Sequence, residues 1–392
     1  MQKDLRQKFN QEFTEEKYNN FLRAINTSTF YPADFRISET PLFLTKEFTD
    51  EIIKASYNIA EQLQTEEFKK KSNEAIPAGL IVPNETEHPV FLQIDFAVCK
   101  DKNGTYIPKL IELQGFPSLY CFQYYLNRIV RESYNIPENI TTYFNGLDDQ
   151  SYINILKNSI MGEFTPENVI LLEIEPEKQK TRIDFACTGD LLGIKPVCVT
   201  KIIKKSNRLF YNNKGKEIPI KRIYNRVIFD ELEKKKDIQM KFKFTDDLNV
   251  QWAGHPNWYF KISKHSLPSL KGEYVPQCFF LDELENYPVD LSNYVLKPLY
   301  SFAGMGVEVD VTGEMLDKIK DRRDYILQKK IEYTPLIETP DGFAKAEIRM
   351  MFIWQEKPML VNNLVRMSKG KMMGVAFNKD KTWVGSSLAY HP

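Results

Sequence analysis

The chain has 392 residues, 42% of them apolar and 13% aromatic, with 26 Phe and 20 Tyr. That is enough for two packed domains or one large domain with an extra lobe. Its 53 Lys and Arg balance 53 Asp and Glu, so it lacks the basic surplus with which nucleic-acid proteins displace counterions from phosphates. Five cysteines stand apart with no C-x-x-C, and only four histidines accompany them, which argues against a Cys/His zinc site. Residues 1–6 are polar and lack the apolar core of a signal peptide. No apolar run approaches the roughly 20 residues that span a bilayer. These features predict a cytoplasmic α/β protein of a reducing compartment, with neither nucleic acid nor membrane as partner. Oligomeric state leaves no mark on the sequence.

Residues 1 to about 75 read as mostly helical. In 51–60 the apolar residues fall at helical spacing, with Thr49 or Asp50 as N-cap. Residues 90–115 switch to period two, and a polar stretch near 134–165 reads as a lobe boundary. From 168 to 230 short apolar runs alternate with polar turns. Residues 169–172 and 195–199 read as strands, and 211–215 as a hairpin turn. Strands alternating with helices predict a small Rossmann-like layer of parallel sheet. The run Lys234, Lys235 and Lys236 reads as a solvated helix end. From 290 onward, β-rich segments are separated by Gly, Pro and Asn turns, without repeats or low-complexity sequence.

Three constellations carry chemistry. In 91–98 the even positions are apolar, so Gln93 and Asp95 share the other face. Asn103-Gly104 predicts a type I′ hairpin turn, with both residues at positive φ. With those two as the loop, paired positions sum to 207 by arithmetic, and Asp95 faces Glu112 while Gln93 faces Gln114. Two carboxylates directly opposed repel, and an all-oxygen set suits Mg²⁺. The other reading is a solvated face whose acids separate or pair with lysine, and a β-bulge would break the register.

The second constellation is Lys297 at the end of an apolar run, followed by a small-residue loop from Ser301 to Gly306 with Gly304 inside it. Residues 307–311 then read as a strand. Backbone N–H groups in such a loop approach phosphates and a lysine adds charge, although a plain hairpin accounts for the pattern too. It is not a Walker A loop, because no Gly-Lys-Ser/Thr ends it. In the third, 325–332 reads as a strand, and Glu347, Arg349, Met351 and Ile353 share a strand face, with Arg366 further on. Arginines on an apolar sheet need a buried carboxylate or a phosphate. Arg226, after the run 223–225, sits where α/β layers bind ligands, as a carboxylate contact or a structural ion pair.

Together these segments resemble the ATP-grasp superfamily in circularly permuted order, as in relatives of glutathionylspermidine synthetase and eukaryotic glutathione synthetase. Ile94-Asp95-Phe96 followed by Ile111-Glu112-Leu113-Gln114 is similar to the family's metal-binding hairpin, here near the N-terminus, with Gln114 where the family has Asn. Gln93 stands where an arginine often precedes the metal aspartate, so Arg349 or Arg366 would supply that charge. The resemblance implies an α/β (α+β) ATP-grasp fold with a Rossmann-like layer. It divides the chain into a helical segment plus metal-binding half (1–150), a Rossmann-like substrate domain (151–255) and ATP-binding lobes (256–392). It implies ATP and Mg²⁺ as cofactors, with Asp95, Glu112 and Gln114 on the metal. Lys297 and either Lys264 or Lys261 would contact phosphate, with Ser301, Gly304 and Gly306 closing over it. Gln328, Lys329, Ile331 and Glu332 would hold adenosine, and Arg349 and Arg366 the transferred phosphoryl group. The implied activity is an ADP-forming ligase joining a small carboxylate to an amine or thiol (an amino acid, peptide or polyamine) through an acyl phosphate. A non-catalytic nucleotide-binding module and a small-molecule kinase are the alternatives.

Overall fold

The alternation in residues 91–98 makes the Phe91–Lys100 strand the spine of the largest sheet. Leu92, Ile94, Phe96 and Val98 enter one core, against the Lys46–Gln62 helix and its buried Ile52, Ala55 and Ile59. The opposite face carries Gln93 and Asp95. This computed structural model describes residues 1–300, 306–370, 373 and 378–392. The main path of the sheet runs Gly385–Ser387, Pro358–Ser368, Gly342–Trp354, Phe91–Lys100 and Tyr106–Gln114, with Ile337–Thr339 pairing Gly342–Trp354 from the side. Every neighbouring pair is antiparallel. One sheet thus joins strands from both ends of the sequence.

Helices Lys3–Glu12, Glu15–Ser28, Lys46–Gln62 and Glu66–Ser72 account for the helical reading of the first 75 residues. The third of these begins earlier than its apolar spacing suggested. Its N-cap is Thr45, whose side chain accepts from the Phe48 N–H, rather than Thr49 or Asp50.

A second sheet is wholly parallel, in the order Gln251–Ala253, Arg222–Asn225, Val169–Glu173, Lys195–Cys198. Val169–Glu173 is buried along its length, the pattern of a strand covered on both faces. The helix Arg182–Leu192 packs against the Lys195–Cys198 strand and against the helix Tyr120–Ser133. Between these strands, Arg208–Asn213 and Lys216–Ile220 form a true two-residue hairpin, with Lys214 and Gly215 both at positive φ (51° and 85°). Lys235 is not merely solvated, since it pairs with Glu175 at 2.6 Å and Glu231 at 3.0 Å.

A small antiparallel sheet places Tyr325–Lys329 between Cys278–Phe280 and Tyr294–Pro298. Residues 307–311 are not the strand the alternation suggested. Glu308 makes one isolated bridge to Leu296 and the chain then turns away. No helix among the described residues is long and apolar enough to cross a membrane. The architecture is mixed α/β with several sheets.

Candidate functional site

The hairpin sets Asp95 opposite Glu112 and Gln93 opposite Gln114, by a route that the sequence did not show. Asn103 is not at positive φ, and only Gly104 is (82°). The loop is therefore Lys102, Asn103 and Gly104, closed by bonds between Asp101 N–H and Thr105 C=O (2.9 Å) and between Gly104 N–H and Asp101 C=O (3.1 Å). Asp101 Oδ1 also accepts from the N–H groups of Asn103 and Thr105. From Lys100↔Tyr106 to Phe96↔Leu110 the pairs sum to 206, by arithmetic on the register. A β-bulge then inserts Ile111, and the next pair is Asp95↔Glu112. Lengthening the turn by one residue and inserting one in the strand cancel. The bulge also leaves the Ile111 carbonyl to accept from Lys297 Nζ at 3.3 Å.

Asp95 is 1% exposed and both of its oxygens are taken. Arg349 donates to them from Nε and Nη2, each at 2.6 Å, and Arg366 Nη2 donates to Oδ2 at 2.5 Å. Burial alone would raise the Asp95 carboxyl, but Arg349 and Arg366 outweigh it and hold it below the usual carboxylate range. Arg349 also reaches Gln93 Oε1 at 3.1 Å. The sheet arginines have therefore found a buried carboxylate. Glu112 lies farther out, at 3.9 Å from Arg349 and 3.8 Å from Arg366, and accepts from Gln114 Nε2 at 3.3 Å.

A third carboxylate completes the group and was not singled out from the sequence. Glu347, 4% exposed, pairs in register with Arg366 and accepts from its guanidinium and from Tyr333 Oη at 2.8 Å. Burial pushes its carboxyl up, against the pull of Arg366. Its alternation with Arg349 was visible, but its partner follows only from the register between the neighbouring strands Gly342–Trp354 and Pro358–Ser368.

Beside this network lies a cavity of about 390 Å³. Its wall includes Glu112, Gln114, Lys264, Arg349 and Arg366. Lys264 is buried, and burial lowers its ammonium while Glu112 raises it. Burial lowers Lys297 as well, with Glu112, Cys278 and Glu347 opposing. Lys261 is not brought to this wall. Its ammonium pairs with Glu85 and lies 4.3 Å from the centre of the Trp258 ring, because the short Pro256–Lys261 helix turns it toward residues 82–86.

Among the residues expected to hold adenosine, Gln328 is 1% exposed and its Nε2 has no hydrogen-bond partner. Such an orphaned buried amide is uncommon. Lys329 N–H is already bonded to the Gln277 carbonyl at 2.8 Å, which leaves no donor there for a ring edge. Ile331 follows the strand end, and Glu332 is exposed. Ser301 and Gly304 lie outside the described residues. Gly306 has φ 72°, and a Cβ there would meet Pro298 Cγ at 3.1 Å.

Among the described residues no group of three or more His, Cys, Asp or Glu side chains is arranged to hold a metal ion. Of the three expected metal ligands, Glu112 and Gln114 line the cavity and Asp95 does not. That is a sparse set, but Mg²⁺ is commonly bound through one or two carboxylates plus substrate phosphates and waters.

No protein-family model matches the chain, and no curated protein matches it. Among solved structures, it is similar to a glutathione synthetase-like effector from Globodera pallida in its apo form, with TM-score 0.57 and 11% sequence identity. The similarity covers 97% of this chain and 97% of that one. At that identity the likeness shows the fold alone: this chain shares the overall mixed α/β architecture of that effector.

Proposed function

We propose that the protein is an ATP-dependent ligase of the ATP-grasp type, built in circularly permuted order. It joins a small-molecule carboxylate to an amine or thiol and releases ADP and phosphate. The observation that carries this reading is the cavity wall, where Lys264, Arg349 and Arg366 converge around the half-buried Glu112, with Lys297 anchored on the adjoining bulge. A cationic wall with one outward carboxylate suits a polyphosphate accompanied by a divalent cation. The glutathione synthetase-like fold of the neighbour agrees with it.

In the first step a carboxylate oxygen of the acid attacks the γ-phosphorus, the bond to the β-phosphate oxygen breaks, and ADP departs. The amine or thiol then adds to the acyl carbon, the tetrahedral adduct collapses, phosphate leaves with the bonding pair, and the nucleophile loses its proton. Catalysis by this chain is positioning and charge neutralisation. Lys297 and Lys264 would balance non-bridging oxygens. Arg349 and Arg366, aligned by Asp95 and Glu347, would steady the phosphoryl group in flight. Mg²⁺, held by Glu112 and Gln114 with Asp95 behind them, would supply further neutralisation of the phosphates.

One observation favours a second reading. Both oxygens of Asp95 are engaged by arginines, as in a nucleotide-binding module that has given up catalysis. Thermal unfolding with Mg²⁺ and a non-hydrolysable ATP analogue separates these readings from a chain with no nucleotide site. Ligand at about 100 times Kd stabilises by about 2.7 kcal/mol. With an unfolding entropy of about 2.1 cal/mol/K per residue, that is a shift of about 3 °C. We expect the shift in the native protein and its loss in Lys297→Ala; no shift with any nucleotide refutes both readings. Hydroxylamine trapping in the presence of ATP and candidate acids then decides, because an acyl phosphate yields a hydroxamate and a bound but idle nucleotide, or a kinase product, does not.

A further inference from the structure

The cavity has a second wall whose chemistry is separate from the phosphate side. Arg226 follows directly on the Arg222–Asn225 strand, at the carboxyl end of the parallel sheet. It is 3% exposed, yet among the described residues no carboxylate lies within 4.0 Å of its guanidinium. Its bonds go to the Pro117 carbonyl and, at 3.5 Å, to Thr181 Oγ1, and its Nε has no partner. The guanidinium carbon lies 5.3 Å from the ring centres of both Phe116 and Phe185, which fix its orientation.

The two acids whose charge reaches it are committed elsewhere. Asp184 caps the Tyr120–Ser133 helix, accepting from the N–H groups of Leu119 (3.2 Å) and Phe122 (2.9 Å). Glu173 accepts from the Ile174 N–H at 2.7 Å. Burial pushes both carboxyls up, Glu173 to about 8. A buried guanidinium without an ion-paired partner is costly and is satisfied by an anion of matching planar shape. Lys180 and Arg36 also line the cavity, and the remaining surface there is largely apolar, from Phe35, Phe116, Leu119, Tyr259 and Leu299. The acidic groups on the lining are Asp230 and Glu112, and Lys264 feels the charge of both.

We infer that this wall selects the acid substrate: a carboxylate seated on Arg226, carrying an apolar, ring-sized body that lies along Phe116 and Tyr259. The assignment of that acid to the first step rests on the ligase reading, but its binding does not. A short dicarboxylate would satisfy Arg226 and leave the apolar wall uncovered, while an uncharged amide would cover the wall and leave Arg226 unpaired.

Calorimetric titration with 3-phenylpropionate, 3-phenylpropionamide and glutarate tests this on the full chain. The aromatic acid should bind at least tenfold more tightly than either of the other two. Arg226→Gln should bring the acid and the amide to within threefold of each other while keeping the Mg²⁺-nucleotide shift in Tm. Because Arg226 also props the Pro117 carbonyl, Lys180→Glu at an exposed position serves as a second variant, and it should weaken the acid at least threefold with Tm unchanged. Equal binding of acid and amide by the native protein, or tighter binding of glutarate, overturns the inference. If the acid binds as expected but no nucleotide shifts Tm, the subsite stands and the ligase reading falls.

Discussion

Asp95 is the carboxylate that both sheet arginines share, and Asp95→Asn is the change that isolates its charge. The substitution keeps the shape of the side chain and removes the negative charge from between two guanidinium groups. Arg349 is 9% exposed on its side chain, and Asp95 is its bidentate partner at 2.6 Å, so the change leaves a buried cation whose nearest remaining acid is Glu112 at 3.9 Å. Breaking one side of a buried pair costs about 3–5 kcal/mol. At about 2.1 cal/mol/K per residue the whole chain unfolds with an entropy of about 0.8 kcal/mol/K, so Tm should fall by about 4–6 °C. The double variant Asp95→Asn/Arg349→Met removes the stranded cation as well, and should lose less than the sum of its two single changes by about 1–3 kcal/mol. Scanning calorimetry without nucleotide at pH 7 reads all four proteins. The pH dependence has a definite sign. The folded-state carboxyl is held below its unfolded value of about 3.9. The contribution is therefore complete above that value and is lost as pH falls below it, through the folded-state value. A Tm for Asp95→Asn within about 1 °C of the native protein, or strictly additive single changes, would refute the reasoning.

Two further outcomes follow from the same geometry. In Gly115→Ala the new Cβ would lie 2.4 Å from the Trp258 carbonyl oxygen and 3.0 Å from Ile262 Cβ, a clash with backbone that should cost about 1–3 kcal/mol and weaken the nucleotide-dependent Tm shift by displacing Gln114 from the Lys264 segment. Glu173, with its carboxyl raised to about 8, holds its proton in the folded chain across a range where the unfolded chain has lost it. Stability should therefore fall as pH rises from about 4.5 to 8, and Glu173→Gln, measured by denaturant unfolding at pH 6 and pH 8.5, should flatten that decline.

What the sequence revealed was local. Alternation in 91–98 and the apolar runs at 169–172 and 195–199 identify strands because burial on a pleated surface writes itself at period two, or as a continuous run. The partners of those strands were not legible. Arg349 and Arg366 meet Asp95, and Glu347 meets Arg366, only because Gly342–Trp354 pairs with both Phe91–Lys100 and Pro358–Ser368, and the Arg349–Asp95 contact joins residues 254 apart in sequence. The same limit explains Lys261 and Lys264. Three residues apart, they were indistinguishable by type, and a turn of helix followed by Ile262 sends one toward Glu85 and the other to the cavity. Arg226 shows the opposite case: its position after a strand was readable, whereas the absence of a nearby carboxylate is a property of packing.

The hairpin separates a correct pairing from a correct reason for it. A two-residue turn was expected because Asn-Gly favours positive φ at both positions, but Asp101 offers its carboxylate to the Asn103 and Thr105 N–H groups and stabilises a loop one residue longer. Had the ladder then run without interruption, position 111 would oppose Asp95 and Glu112 would point to the other face. The bulge at Ile111 restores the pairing and creates the carbonyl that holds Lys297. Deleting Ile111 distinguishes these two effects. Leu110 still faces Phe96, the residue after it is still Glu112, and the Asp95–Glu112 pair survives without the bulge. The acceptor for Lys297 does not. A deletion variant should keep the Asp95-dependent acid behaviour and most of its stability, while its Mg²⁺-nucleotide shift falls well below the native 3 °C estimated above for saturating ligand. An undiminished shift would mean that the bulge carbonyl has no part in placing Lys297, and that the lysine finds the phosphates unaided.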